Sequence, residues 1–170
     1  MGDSMAGGRF NEGQRAGLTT RQLDQDRTLA AMHSLEAALA EAAPGREESW
    51  RGAVIDALVV LSQVTTEEAE NADRPDSLLA DLVRTQPRLR NRVRGVRLQY
   101  RQLRDTITSI RSELEGHSGE TLDFSDVRQR LGWLLTALRH QRARESDLIY
   151  EAYFEAFRAE LTAEGKPPKD

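Results

Sequence analysis

Tyr100 sits at the centre of an apolar row, Leu89, Val93, Val96, Tyr100, Leu103, Ile107, Ile110 and Leu114. The row's steps of four and three keep one helix face buried against neighbours. A hydroxyl inside such a face requires a buried partner. The same helix and its approach carry Arg84, Arg88, Arg90, Arg92, Arg94, Arg97, Arg101, Arg104 and Arg111 against one acid, Asp105. Of these, Arg90, Arg94, Arg97, Arg101 and Arg104 follow the core row displaced by one residue. They would line one edge of a bundle and suit phosphate or an acidic partner. The chain's net charge of −4 and the lack of stacking aromatics along this edge disfavour nucleic acid. The simpler reading pairs these arginines with acids of neighbouring helices while their stems cover the core edge. Adjacent acids, Glu47 with Glu48 and Glu67 with Glu68, diverge on a helix and cannot act on one bond. No glycine-rich phosphate cradle, nucleophile elbow or Ser-His-Asp order occurs. With no cysteine, thiolate metal sites, cysteine nucleophiles and disulfides are excluded. Whether the chain is an enzyme stays uncertain, with a non-enzymatic role favoured.

The elements that position these residues read as helices. The chain has 170 residues, 5% aromatic content and five prolines, and it is rich in Ala, Leu, Arg and Glu, a composition for one all-α domain. Residues 1–18, with Gly2, Gly7, Gly8, Gly13 and Gly17, read as a flexible leader, residues 19–163 as the bundle, and 164–170 as a disordered tail. Thr19 or Thr20 can cap a first helix reaching about Ala43, with Leu23, Leu29, Met32, Leu35 and Leu39 on its apolar side. Pro44-Gly45 ends it. A second helix runs from Arg46 to Asn71 through Trp50, Val54, Leu58, Leu61 and Val64. A short turn holds Leu78, Leu79 and Leu82, and Pro87 opens the long third helix. Asp123 or Ser125 caps a fourth helix carrying Val127, Leu131, Leu134, Leu138 and Leu148. These lengths predict an antiparallel up-down four-helix bundle. The last helix could reach Leu161, a span of roughly 55 Å, and must kink or project. On its extension, Tyr150, Tyr153, Phe154 and Phe157 form an expected self-association or protein-interaction surface, unless the leader or first helix covers them. No stretch approaches the ~20 apolar residues of a membrane span, so no membrane partner and a cytoplasmic location are expected.

Four segments, Pro44-Gly-Arg-Glu-Glu-Ser-Trp50, Pro75-Asp-Ser-Leu-Leu79, Gln99-Tyr-Arg-Gln-Leu103 and His140-Gln-Arg-Ala-Arg-Glu-Ser-Asp-Leu-Ile-Tyr-Glu-Ala-Tyr153, together resemble bacterial hemerythrin-like domains of the HHE type. The resemblance covers roughly residues 24 to 155. It implies a four-helix bundle holding a non-haem di-iron centre through histidines and bridging carboxylates, and binding oxygen or related small ligands. In the family the last helix supplies a histidine followed five residues later by an acid, matched here by His140 and Glu145. The third-helix histidine is replaced by Tyr100. The second helix retains only carboxylates, of which Glu68, Glu70 and Asp73 are possible additions to a metal site. The first-helix histidine would fall near Asp24-Gln-Asp26, whereas His33 lies about two turns later and His117 belongs to a glycine-rich connection.

One imidazole makes a poor di-iron site, and the Glu-x-x-His pattern of bundle iron sites is absent. His140 and Glu145 also lie about 140° apart on an ideal helix. The expectation is therefore a ligand-depleted hemerythrin-like bundle without cofactor, acting as a non-enzymatic binding or interaction module toward an unknown protein partner or as a homodimer. Trp50, Tyr100, Trp133 and the 150–157 aromatics would then be packing residues. The alternatives are a non-haem iron protein whose reduced, carboxylate-rich site binds oxygen or peroxide, and a module whose arginine edge binds nucleic acid or an acidic partner.

Overall fold

The computed structural model describes residues 8–41, 44–118 and 121–165. Its elements are α1 (Glu12–Ala40), α2 (Glu47–Asp73), α3 (Leu78–Thr85), a 3-10 turn (Pro87–Leu89), α4 (Arg90–Gly116), α5 (Phe124–Ala152) and α6 (Phe154–Glu164), with no strand among the described residues. The protein is an all-helical bundle. α1 packs on α2, α2 on α4 and α4 on α5, while α3 touches α1, α2, α4 and α5. Among the described residues, no helix is long and apolar enough to cross a membrane.

Helix boundaries follow local chemistry. Ser77 accepts from the Ala80 amide at the start of α3, and Asp123 from the Asp126 amide at the start of α5. Gly45 adopts a φ of 76°, which turns the chain between α1 and α2 and suits a residue without Cβ.

The first helix corrects the expected leader boundary. It starts at Glu12, not Thr19, because Asn11 and Gln14 form a reciprocal capping box with bonds of 2.8 and 3.0 Å. Gly13 and Gly17 lie within this helix. Just before it, Phe10 is buried against Phe157 and Tyr153, with ring centroids 4.9 and 5.7 Å away. A cap and an aromatic anchor outweigh glycine's helix penalty, about 1 kcal/mol per residue. Residues 1–7 of the expected leader and 166–170 of the expected tail lie outside the described residues.

The long last helix breaks at Tyr153, whose φ of −114° and ψ of 24° leave α-helical geometry and separate α5 from α6. Phe10 covers Tyr153 and Phe157, whereas Tyr150 and Phe154 remain exposed. Tyr153 is thus a buried anchor and not part of an exposed surface. Its hydroxyl donates to Asp81 at 2.7 Å and lies 3.2 Å from the Leu78 carbonyl.

Along each long helix, two apolar stretches flank a polar one. Met32, Leu35, Leu58, Leu61, Ile107 and Leu131 belong to one buried cluster. Leu79, Leu82, Val93, Val96, Leu148 and Tyr153 belong to the other, with Phe10. Four residues expected to pack inside are instead at the surface: Leu23 is 53% exposed and Trp133 66% exposed, and Tyr150 and Phe154 are exposed as well. Trp50 is buried as expected, packed edge-on against Phe124 at 5.0 Å with the Arg128 guanidinium over its ring.

Candidate functional site

Between the two clusters the helices contribute buried polar side chains where apolar ones would be expected: Asp24, Gln25 and Thr28 from α1, Thr65 and Glu68 from α2, Tyr100 from α4, and Gln141 and Glu145 from α5. At 100° per residue, Asp24, Gln25 and Thr28 share one face of α1. That face, and not the one carrying Leu23, meets α2.

Tyr100 joins the layer together. Its hydroxyl makes a short hydrogen bond to Glu145 Oε2 and lies 3.1 Å from Glu68 Oε1. Thr28 donates to Glu68 Oε2 at 2.6 Å, and Arg21 Nε donates to Glu145 Oε1 at 3.3 Å. A phenol has one proton and can direct it to one carboxylate. The phenol oxygen stands between the two carboxylates, within hydrogen-bond distance of both. Burial pushes the Glu68 carboxyl above its ordinary value, against the hydrogen bond from Thr28, and the neighbouring charge of Glu145 adds to the rise. Burial also holds the Tyr100 phenol well above its ordinary range, reinforced by the charges of Glu145 and Glu68. The result is a connected set of hydrogen bonds that joins Glu68, Tyr100, Glu145 and the Arg21 guanidinium.

This set of hydrogen bonds closes the inner end of a cavity of about 220 Å³ between α1 and the connection from α2 to α3. Gly13, Ala16 and Gly17 on α1 leave the space open, Leu78 and Leu79 form an apolar wall, and Asp24, Asn71, Glu68, Tyr100 and Glu145 supply polar groups. At Gly17 the two elements come close: a Cβ there would stand 3.4 Å from that of Leu78. Asp24 accepts from the Asn71 amide at 2.9 Å. A second groove, about 630 Å³, runs beside Trp133 between α4 and α5 and presents no buried ionisable group.

The candidate metal residues do not converge. Glu68 and Glu145 share Tyr100, but His140 is exposed on α5, Glu70 is exposed, and Asp73 ion-pairs with Arg97 at 3.2 Å. Among the described residues, no three His, Asp or Glu side chains are grouped to hold a metal ion. His33 is exposed, and the His117 ring is bonded to the Glu113 carbonyl. Along the arginine edge, Arg97 pairs with Asp73, and Arg88 and Arg92 pair with Glu151. Arg90, Arg94 and Arg101 are exposed and Arg104 is half-buried.

Sequence reasoning missed Arg21, Thr28 and Asn71, and marked Asp24 only as lying where the first-helix histidine of the resembled family would fall. Their signal was present in α1, where Gly13, Ala16, Gly17 and Thr20 form a helical row of small residues running toward Asp24. Compared with protein-family models, curated proteins and solved structures, the chain finds no match in any of the three.

Proposed function

We propose that this chain is a ligand-depleted hemerythrin-like four-helix bundle, with α1, α2, α4 and α5 arranged up-down and antiparallel, that works as a non-enzymatic module binding a small molecule. The cavity of about 220 Å³ ending on Glu68, Tyr100 and Glu145 carries the reading. Interiors that serve stability alone are close-packed, with few voids larger than a water molecule. A cavity with apolar walls and a few converging polar groups is the usual form of a small-molecule site.

The donor set does not fit the di-iron centre that the resemblance implies. Each oxygen of Glu68 and Glu145 already has a partner within the chain, and His140 lies outside the layer. Iron bound without thiolates needs several converging imidazole and carboxylate ligands. Nor does the layer pair a nucleophile with a free base. Thr28, Glu68, Tyr100 and Glu145 bond to one another and present a polar floor, an arrangement suited to binding rather than to turnover.

A fragment screen by amide NMR on the full chain, with metal analysis alongside, tests this reading. The expected outcome is fragments that shift the amides of Gly17, Asp24 and Glu68, on protein carrying no stoichiometric iron. About two irons per chain, with an oxo-bridged absorption lost in Glu68→Gln, would overturn it, as would a screen in which no fragment perturbs the cavity.

A further inference from the structure

We infer that the cavity takes a small organic cation, an ammonium group on a compact apolar body, with the Asp24 carboxylate as its anchor. This deepens the binding reading above and rests on it. The charges facing the cavity decide the sign of the ligand. Arg21 is bonded to Glu145 and to Ser146 Oγ at 2.9 Å, and Arg74 forks onto Asp76 at 3.1 and 3.3 Å, so both guanidiniums are engaged. An anionic ligand would have to break one of these pairs. Asp24 is the opposite case. It is 7% exposed, lines the cavity, and accepts a hydrogen bond only from the neutral Asn71 amide, with no ion pair among the described residues. A buried carboxylate without a counter-ion is costly, and an ammonium brings both the charge and three donors.

The rest of the wall sets the remainder of the ligand. Ala16, Gly17, Ala72, Leu78 and Leu79 offer an apolar surface to a hydrocarbon body. A benzene-sized molecule fits a void of roughly 150 Å³, so about 220 Å³ admits a ring with a short charged arm. A bare metal ion would leave this wall unused, the oxygens of Glu68 and Glu145 are already bonded within the chain, and no group of three ligating side chains occurs among the described residues.

Titration calorimetry on the full chain with benzylammonium, benzyl alcohol and benzoate separates the cases. Benzylammonium should bind at least about tenfold more tightly than benzyl alcohol, and benzoate should not bind. Asp24→Asn should reduce benzylammonium to the level of the alcohol and leave the alcohol unchanged, and Ala16→Leu, on the α1 wall of the cavity, should weaken both. Circular dichroism establishes that each variant is folded, and the order among the three probes on the parent chain decides the matter even if a variant is not. Equal affinity for ammonium and alcohol, or preference for benzoate, overturns the cation while the binding cavity stands. Failure of all three probes on the parent chain overturns the cation as well, and the fragment screen then judges the cavity separately.

Discussion

Replacing Tyr100 by Phe removes one oxygen and keeps the ring, which belongs to the same buried cluster as Val96 and Leu148. The aromatic contribution to the core is therefore preserved, and the change isolates the hydroxyl. That hydroxyl serves two carboxylates that are 3% and 7% exposed, Glu145 and Glu68. A hydrogen bond to a charged group contributes about 1.5–3 kcal/mol, and a buried acceptor left without its donor costs about 1–3 kcal/mol. These two figures describe the same loss at Glu145 and do not add. The Glu68 contact contributes a further fraction, because Glu68 Oε1 also loses the phenol. Water from the adjoining cavity offsets part of the sum. The expected cost is about 2–4 kcal/mol, read as a lower urea midpoint at unchanged slope by far-ultraviolet circular dichroism. In a double-mutant cycle with Glu145→Gln, the two changes should couple by at least about 1 kcal/mol, since they share one bond. A variant within about 0.5 kcal/mol of the parent would refute the hydrogen-bonded chain through Tyr100, because surface-like tolerance of that size belongs to groups without buried partners.

Ile107, fully buried in the cluster that includes Leu58 and Leu131, should cost about 2–5 kcal/mol when changed to Ala, whereas exposed Trp133→Ala should stay within about 0.5 kcal/mol; both are read from the same urea curves. Phe10→Ala should cost on the order of 3 kcal/mol by chemical denaturation, since it empties the contact with Tyr153 and Phe157, and a negligible change would return residues 8–11 to the status of a leader. Glu68 sets a pH dependence. Its carboxyl is raised above 4.5 in the folded chain, so the folded state holds a proton that the unfolded state releases. Stability from this group is fully present below the unfolded value and falls as pH rises through the folded one. Glu68→Gln should flatten that part of the profile above about pH 4.5, and parallel profiles for parent and variant would dismiss the assignment.

Hydropathy was most informative where a helix has one consistent face. All eight positions of the row from Leu89 to Leu114 are buried, Tyr100 included, Asp123 caps α5 as expected, and Pro87 opens the 3-10 turn that leads into α4 rather than α4 itself. It failed on α1. There Leu23 counted as apolar and Asp24, Gln25 and Thr28 as polar, yet the polar three are inside, because the Asp24 and Thr28 side chains and the Gln25 backbone carbonyl each meet a group on another helix that a one-dimensional pattern does not reveal. Glycine content misled at residues 12–18 for a related reason: the capping box and Phe10 act over a few residues and across the fold, and composition registers neither. The need of the Tyr100 hydroxyl for a partner was legible. That Glu68 and Glu145 would both meet it depends on how four helices are placed side by side, which no single helix encodes.

The polar layer also bears on how these helices find their axial register. Apart from Tyr100, the row on α4 consists of Leu, Val and Ile, residues that can replace one another in apolar packing at modest cost. A slip of α4 by one turn, about 5.4 Å, would set aliphatic groups against aliphatic groups again and lose little. The same slip would carry the phenol away from two buried carboxylates and bring Val96 or Leu103 toward them. One hydroxyl therefore distinguishes the native alignment from its near-equivalents, as a single polar residue does in an otherwise apolar helical seam.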